Sequence, residues 1–432
     1  MRLAHIAAGA AGMYCGTCIH DNTLAAALQR RNIDVALIPT YTPLRTDETD
    51  ISINRVFYGG INVYLQQKSS LFRHTPRALD RLLDRPSLLN SLSRFSASTS
   101  AQDLGALTLS VLEGESGHQK KELDKLVDWL KHDFKPDLVQ LTNSMFVGMA
   151  RRIKEELDVP VICALQGEDI FLQDLIEPYK TQALQTLRQR AQDVDGFIAP
   201  CAYYRDFMST YMDVPAAKIH VVKLGIHLPG HGEHAPSTNG PPFKIGYLAR
   251  ICPEKGFQIL VEAFHLLAQQ LGANQIHLSI AGYLGDRDRP YFDAITKEIE
   301  SWGLQDSFTY RGEVERSEKI NFLSDLHLLS VPTTYADPKG LFVLEALANG
   351  VPVVQPNHGA FPELIAATGG GILVEPHSAA AVADGIRQLL DDDEHRRQLG
   401  QAGKKAVHQR YNDVIMADTT LAIYQQYVAG AG

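Results

Sequence analysis

Residues 336–363 read ADPKGLFVLEALANGVPVVQPNHGAFPE, and this stretch decides the class of fold. After a Pro and a Gly, it predicts a short apolar helix that ends at Asn349-Gly350, a pair that readily forms the left-handed end of a helix. The apolar run VPVV at 351–354 is typical of a buried strand, and a second turn follows it. A helix that alternates with buried strands in this way predicts an α/β domain with a parallel sheet.

The start of this predicted helix has the features of a phosphate site. The backbone amides of Gly340, Leu341 and Phe342 are expected to be free and to face outward, where they can hold an anion. Asp337 precedes the helix and Glu345 lies one turn into it, and both are expected to point to the same cleft. Because a carboxylate accepts hydroxyl hydrogen bonds, such a pair beside a phosphate suits a sugar nucleotide.

The chain has 432 residues, which is too long for one ordinary core, so two domains are expected. Strands alternate with helical stretches in both halves, which predicts two doubly wound parallel-sheet domains that face each other across a cleft. The predicted strands are 2–8, 34–40, 137–143, 159–166, 196–200, 243–249, 276–282, 308–314, 326–333, 351–356 and 372–376. The predicted domains are 1–228 and 243–412, joined by the linker 229–242; a last helix within 413–432 could pack back on the first domain.

Charge and composition narrow the classes of function. The formal net charge is −9, which argues against general nucleic-acid binding. No apolar run approaches the ~18 residues that a membrane span needs, and the first residues are predicted to form a strand and a loop rather than a signal peptide. The five cysteines follow no framework spacing and fit a reducing compartment, so a cytoplasmic location is expected.

Two cations follow the first predicted strand of the second domain. Arg250 and Lys255 lie across a Pro-containing turn in the sequence GYLARICPEKG. Two cations at the carboxyl end of a strand can neutralise a diphosphate and stabilise it as it leaves. A solvated turn with incidental charges is the alternative, but the predicted helix start at Gly340 favours the phosphate site.

Several segments of the second domain resemble those of the family 4 retaining glycosyltransferases, two-domain enzymes of the GT-B fold. They occur in the family's order and spacing: GYLARICPEKGFQILVEAF at 246–264, LSIAGYLGD at 278–286, DPKGLFVLEALANGVPVV at 337–354, GAFPELI at 359–365 and GGGILVEP at 369–376. The first domain follows the family more loosely. There, VFYGGINVYL at 56–65 is similar to glycogen and starch synthases.

The resemblance implies a metal-independent hexosyl transfer, with retention, from a nucleoside diphosphate sugar to a hydroxyl of a carbohydrate or lipid-linked acceptor. UDP is the expected nucleotide, and no cofactor is expected. By position, the catalytic groups Arg250 and Lys255 would hold the donor diphosphate, Glu345 would bind the ribose, and Asp337 would face the donor sugar. Further donor contacts are expected at Gly340, Leu341, Phe342, Gly282 and Gly16. The candidates for the acceptor or reaction centre are Gly12, His20, Asp21, Gln166 and Asp169.

Three positions depart from the family's pattern. The first acidic residue of its signature is Glu, whereas this chain has Asp337, which is one methylene shorter. The family's usual His after the strand matching 159–166 is Gln166 here, and Gln does not change protonation near neutral pH. The usual Asn-Gly after the last strand of the first domain is Leu224-Gly225. The donor half is therefore expected to be nearly intact and the acceptor half to be altered.

Cys15 and Cys18 lie in the loop after the first strand, just before His20 and Asp21. Small loop residues that shape an acceptor site are the favoured interpretation of the two cysteines. A dithiol for redox control and a metal site that includes His20 stay open, although the metal site lacks a fourth ligand. Asp21 is expected to cap the start of a helix over about 21–31.

Residues 71–95 interrupt the α/β pattern with leucines and arginines at helical spacing. The favoured interpretation is an inserted helical hairpin that covers its own domain. The alternative is a basic amphipathic surface for an anionic membrane or a large acceptor, which would place the protein at the membrane periphery.

Three other functions stay open. A sugar-nucleotide epimerase of the same architecture would need acid/base groups such as Glu168, Asp169 and His20, but the spacing of Asp337 and Glu345 favours the transferase. The substitution at Gln166 keeps open a protein that binds a nucleotide sugar or glycan without turnover. A nicotinamide-linked dehydrogenase is disfavoured because the first loop, GAAGMYCG, does not follow the GxGxxG pattern.

Overall fold

Two compact units, each built on one parallel sheet, make up the fold of this computed structural model. The structure describes residues 1–9, 15–68, 101–233 and 240–430. The first unit contains Met1–Gly225 and Asp413–Gly432, and the second contains Ile226–Asn412. Gly12 and the predicted insertion 71–95 lie outside the described residues.

The sheet of the first unit is parallel throughout, and its strands run in the order β2-β1-β3-β4-β5-β6. Since β1 lies between β2 and β3, the chain winds away from β1 in both directions, and the carboxyl ends of β1 and β3 form the topological switch point of this sheet. The strands are β1 (Arg2–Ala8), β2 (Asp34–Thr40), β3 (Leu138–Leu141), β4 (Val161–Ala164), β5 (Gly196–Ala199) and β6 (Ile219–Val221).

Helices connect these strands and cover the sheet, so that β3, β4 and β5 are buried at every residue, as expected for parallel strands. The helices between β1 and β6 are α1 (Gly16–Gln29), α2 (Gly60–Lys68), α3 (Ala101–Leu112), α4 (Lys120–Trp129), α5 (Ala150–Leu157), α6 (Asp169–Gln173), α7 (Tyr179–Ala191) and α8 (Ala202–Met212).

The prediction that Asp21 caps a helix is wrong. Helix α1 begins at Gly16, with Cys15 at the cap position, so Asp21 lies in the second turn, where its side chain is fully buried. The reason is tertiary packing: His5 within β1, Thr142 after β3 and Gln166 after β4 surround the carboxylate and compensate its burial. Strand β6 was also missed, since its three residues include the polar His220.

The sheet of the second unit is likewise parallel, with the strand order β12-β11-β10-β7-β8-β9. Here the carboxyl ends of β7 and β10 form the switch point. The strands are β7 (Phe243–Leu248), β8 (Ile276–Ala281), β9 (Phe308–Tyr310), β10 (Leu328–Leu329), β11 (Val353–Pro356) and β12 (Gly371–Val374).

The helix predicted from the opening stretch is present and ends as expected, with Asn349 as its cap and a positive φ of 77° at Gly350. This helix is α12 in the series of the second unit. The series is α9 (Phe257–Leu271), α10 (Arg289–Ser301), α11 (Arg316–Ser324), α12 (Leu341–Ala348), α13 (Phe361–Thr368), α14 (Ala379–Asp391) and α15 (Asp393–Arg410).

The last helix, α16 (Asp413–Gly430), belongs to the first unit and packs on α1. Its buried Met416 and Tyr424 join Leu24 and Leu28 in one apolar cluster. The described part of the expected linker lies in the second unit, where Gly232 N–H donates to Asn349 Oδ1 at 2.9 Å. Among the helices that the structure describes, none has the length and apolarity to cross a membrane.

Candidate functional site

The candidate donor site lies at the switch point of the second sheet. The loop after β7 carries Arg250 and Lys255, and the loop after β10 leads through Tyr335 and Asp337 into α12. Because β7 and β10 are neighbours and parallel, both loops leave the same edge of the sheet. The two sequence motifs are therefore brought together by the strand order of this one unit.

Asp337 is the centre of this arrangement. Its Oδ2 accepts from Lys255 Nζ at 2.6 Å and from the Tyr335 hydroxyl at 3.0 Å, and its Oδ1 accepts from the backbone amides of Lys339 and Gly340 at 2.9 and 3.1 Å. Burial by itself would raise the pKa of Asp337, but the Lys255 ammonium and these hydrogen bonds lower it to about 2. Asp337 is only 3% exposed, so its carboxylate is used within the loop rather than presented on the surface.

Lys255 is fixed by the same contacts. Its Nζ lies 2.5 Å from the Tyr335 hydroxyl and faces the rings of Tyr335 and Phe342 at 4.9 and 5.6 Å. Burial opposes the charged form, yet the attraction of Asp337 and Tyr335 leaves the pKa of Lys255 above its ordinary value. The ammonium is thus a permanent positive charge in a defined position. The role of Tyr335 was not predicted from the sequence motif.

The start of α12 keeps two of the three amides that were expected to be free. The Gly340 N–H is engaged by Asp337, which corrects the expectation for that residue. Within the described part of the chain, the N–H groups of Leu341 and Phe342 have no hydrogen-bond partner. These two amides, at the positive end of an eight-residue helix, keep the capacity to hold an anion.

Arg250 is the second cation of this site. Its side chain is exposed and forms no salt bridge with any residue that the structure describes. The Tyr247 hydroxyl donates to the Arg250 carbonyl at 3.1 Å, which ties the base of this loop to β7. Gly282 lies directly behind it: φ is 146°, and a Cβ there would stand 1.8 Å from the Ala249 carbonyl oxygen. Gly282 therefore permits the close approach of two loops.

Glu345 in α12 forms a salt bridge that the sequence analysis did not foresee. Its Oε1 lies 2.5 Å from Lys319 Nζ, and the two side chains are 14% and 9% exposed. Lys319 belongs to the buried face of α11, together with Phe322 and Leu323. That i, i+3, i+4 spacing is the signal that could have identified an inward-pointing lysine.

In the first unit, several candidate residues meet around the buried carboxylate of Asp21. Its Oδ2 accepts from the Thr142 hydroxyl at 2.5 Å, and its Oδ1 accepts from Gln166 Nε2 at 2.9 Å. The ring nitrogens His5 Nε2 and His20 Nδ1 lie 3.4 and 3.3 Å from Oδ1. These side chains come from β1, α1 and the segments that follow β3 and β4, so the cluster marks the switch point of the first sheet.

The members of this cluster differ in whether they can contact a ligand. Burial opposes ionisation of Asp21, but His5, His20 and the hydrogen bonds more than compensate, so its pKa lies below the ordinary value. Asp21 has no exposed surface, and Gln166 is 7% exposed with its amide nitrogen bonded to Asp21 and to the Thr142 carbonyl. Neither side chain presents a free group, so His20, with 11% side-chain exposure, is the member that reaches the surface.

Glu168 and Asp169 are also used within the protein. Glu168 accepts from the backbone amides of Ser144 at 2.9 Å and Gln166 at 2.7 Å. Asp169 accepts from the Tyr204 hydroxyl at 2.6 Å, and burial raises the pKa of this carboxyl above its ordinary value. The roles of Tyr204 and Thr142 were not predicted, because they depend on contacts between segments far apart in the chain.

The remaining candidates in the first loop have simpler surroundings. Gly16 is the first residue of α1. Neither Cys15 nor Cys18 is part of a disulfide, and Cys18 is buried with its Sγ 3.2 Å from the Ala8 carbonyl oxygen. Over the described ranges of the chain, no three His, Cys, Asp or Glu side chains are grouped so that they could hold a metal ion, so the metal interpretation of Cys15, Cys18 and His20 finds no support there.

Comparison with solved structures identifies the class of fold. The chain is similar to sucrose-phosphate synthase from Thermosynechococcus elongatus, with a TM-score of 0.70, 16% identity and 99% of each chain covered. It is also similar to HepE of Anabaena, solved with UDP, with a TM-score of 0.69, 15% identity and coverage of 99% of this chain and 100% of that one. The fold is thus GT-B, as the sequence resemblance implied.

Sequence families define the chain more narrowly. Residues 22–225 match the family described as Glycosyl transferase 4-like domain, and residues 233–406 match Glycosyl transferases group 1. The D-inositol 3-phosphate glycosyltransferase of Corynebacterium glutamicum is 28% identical over 208 residues, which are 46% of this chain and 49% of that relative. The matched region thus spans about half the length of that relative. The chain therefore carries a glycosyl transferase 4-like domain followed by a domain of the glycosyl transferases group 1.

Proposed function

We propose that the protein transfers a sugar from a nucleoside diphosphate sugar to a hydroxyl acceptor, with retention of configuration and without a metal ion. The observation that carries the proposal is the group of cationic and amide donors at the switch point of the second sheet. Lys255 is held in place by Asp337, Arg250 is exposed and forms no salt bridge with a described residue, and the amides of Leu341 and Phe342 are available.

These groups suit a leaving diphosphate. As the bond to the sugar breaks, negative charge builds on the phosphate oxygens, and fixed positive groups stabilise that charge more than they stabilise the bound donor. Arg250 and Lys255 supply two full charges, and the start of α12 supplies a partial one. In this proposal they take the part that a divalent cation plays at other phosphate sites.

The ribose of the donor is assigned to Glu345. Its Oε1 accepts from Lys319, which leaves Oε2 turned away from that lysine for a ribose hydroxyl. UDP is the proposed nucleotide, and the support is that HepE of Anabaena, which shares the fold, has been solved with UDP and with UDP-glucose. In this proposal Asp337 acts through Lys255 and through the backbone amides of Lys339 and Gly340 that lead into α12, in contrast to the direct sugar contact that the family resemblance implied.

The acceptor is proposed to bind at the first unit, near His20. Because the Asp21 carboxylate lies next to His20 Nδ1, it orients the ring and leaves Nε2 as the group available to an acceptor hydroxyl. Gln166 and Thr142 hold Asp21 in place for this task. The acceptor is a carbohydrate or a lipid-linked sugar in this proposal, and peripheral membrane contact through 71–95 stays a prediction.

The test is donor turnover by the purified chain. A panel of UDP, GDP and ADP sugars is incubated with the protein in buffer with EDTA, and released nucleoside diphosphate is measured. We expect slow release from one donor, and a loss of about 100-fold or more in Arg250→Ala, the size seen when one transition-state donor is removed. With an acceptor found, the anomeric configuration of the product, read by NMR, tests retention.

Two outcomes would contradict the proposal. Binding of a donor with no release under any condition would favour a protein that recognises nucleotide sugars without turnover. Release only after a divalent cation is added would contradict the assigned roles of Arg250 and Lys255.

A further inference from the structure

Lys319 is a buried cation for which the proposed reaction has no direct use. The residue is 7% exposed and lies on the buried face of α11, which also carries Ile320 and Phe322. A lysine in such a position loses most of its hydration, a cost that is tolerated when a carboxylate compensates it. The compensating group is Glu345, whose Oε1 is 2.5 Å from Lys319 Nζ.

The contact constrains Glu345 more than a surface salt bridge would. Both side chains are largely removed from water, so separating the two charges would leave the Glu345 carboxylate poorly compensated. The backbone at Glu345 is fixed as well, since it lies within α12 and its carbonyl accepts from Asn349 Nδ2 at 2.8 Å. The carboxylate therefore has one preferred orientation before any ligand binds.

In that orientation the two carboxylate oxygens have different surroundings. Oε1 is turned toward the ammonium of Lys319, while Oε2 has no hydrogen-bond partner among the residues that the structure describes. A free carboxylate can accept from both ribose hydroxyls at once, with one oxygen for each. With Oε1 turned toward the ammonium, Oε2 is the oxygen better placed to accept a ribose hydroxyl.

We infer that Lys319 is a positioning residue that makes Glu345 a single-oxygen acceptor for the nucleotide ribose. This inference rests on the proposed function, because it assumes that the ribose of the donor lies at Glu345. Its consequence is an asymmetric dependence on the two ribose hydroxyls. Loss of the bonded hydroxyl weakens binding strongly, and loss of the other has little effect.

The experiment compares UDP with 2′-deoxy-UDP and 3′-deoxy-UDP by isothermal titration calorimetry on the full chain. For the wild-type protein we expect one analogue to bind about tenfold or more weakly than UDP, since a hydrogen bond to a charged group is lost. The other analogue should bind within about twofold of UDP. If another nucleotide binds instead of UDP, its own deoxy analogues are used.

Variants then assign the asymmetry to the lysine. In Lys319→Met the carboxylate is released, so UDP affinity should fall and the ratio between the two deoxy analogues should approach one. Lys319→Arg should keep the asymmetry. As a matched control, Lys244→Met removes a salt bridge of the same 2.5 Å length, to Asp325 in the same unit, and should leave all three affinities unchanged.

The outcomes separate the inference from the proposed function. An equal loss of affinity for both deoxy analogues in the wild-type protein overturns the inference, and so does an unchanged asymmetry in a folded Lys319→Met. In either case, binding of UDP still supports the proposed function. A uniform weakening of all three ligands in that variant shows a merely structural lysine and also overturns it. If the protein binds no nucleoside diphosphate at all, the proposed function itself is contradicted. If Lys319→Met does not fold, Lys319→Gln and the wild-type asymmetry still decide the question.

Discussion

At the scale of single residues, Asp337 has a local reason to be Asp where the related family has Glu. An Asp side chain is short enough to accept from the amides two and three residues ahead, and it does so here with Lys339 and Gly340. A Glu would place its carboxylate about one methylene farther from its own backbone. The shorter side chain thus shapes the loop and fixes Lys255.

Replacement of Asp337 by Asn tests the strength of this arrangement through its pH dependence. The folded-state pKa of Asp337 is lowered to about 2, whereas an unfolded Asp titrates near 3.9. The carboxylate therefore stabilises the fold above about pH 4, and this contribution is lost as the pH falls toward about 2. We expect Asp337→Asn to unfold with a free energy lower by about 2–3 kcal/mol at pH 7, and the difference to vanish in acid.

Urea unfolding at a series of pH values measures this difference. Asp306→Asn is the control, because Asp306 is exposed in the same unit and forms no salt bridge with a residue that the structure describes. The control should parallel the wild-type protein. A gap between Asp337→Asn and the wild type that stays constant from pH 7 to pH 2 would contradict the assigned ion pair.

At the scale of elements, local sequence predicted where strands begin better than where they end. Strands β1 and β2 have the predicted bounds, whereas only Leu328–Leu329 of the predicted 326–333 pairs as β10. The residues beyond Leu329 are apolar enough to suggest a strand. Ser330 still donates its amide to the Gly246 carbonyl of β7, but the chain then turns, because Thr333 donates its amide to the Val331 carbonyl and its hydroxyl to the Tyr335 carbonyl.

The same distinction holds for the candidate site. Arg250, Lys255 and the start of α12 were predictable because each belongs to a local motif of turn, charge and helix. The partners Tyr335, Lys319 and Thr142 were not predicted, since each acts through a carboxylate that another element supplies. Helix α1 shows the limit most plainly: Asp21 has the local character of a cap, and the buried polar groups around it override that preference.

Gly256 tests how closely the two loops of the donor site must approach. Its φ is 69°, and a Cβ there would lie 1.8 Å from the Pro332 carbonyl oxygen. Gly303 has nearly the same φ, 70°, with nothing within 4 Å of its Cβ position. Gly303→Ala should therefore cost only the strain of a positive φ, about 1–2 kcal/mol.

Gly256→Ala should cost more than this control, because the backbone at Pro332 has to move. It should also weaken nucleoside diphosphate binding, since Lys255 precedes it directly. Urea unfolding and calorimetry report the two effects. Equal stability losses in the two variants would show that the contact between these loops is not required.

At the scale of the whole molecule, the chain forms two α/β units whose sheets differ in strand order and whose switch points carry different chemistry. The second unit presents cations and helix amides, and the first presents a histidine oriented by a buried carboxylate. The chain returns to the first unit through α16, whose buried side chains join the core of that unit. Our account assigns the donor diphosphate to the second unit alone.

Calorimetric titration of the full chain with UDP and with UMP, in buffer with EDTA, tests that assignment most directly. We predict that UDP binds at least about tenfold more tightly than UMP, that Arg250→Ala removes most of this preference, and that His20→Gln keeps it, because charge-assisted contacts to the second phosphate come from the second unit. Equal affinities for UDP and UMP in the wild-type protein, or a preference lost in His20→Gln and kept in Arg250→Ala, would contradict the account.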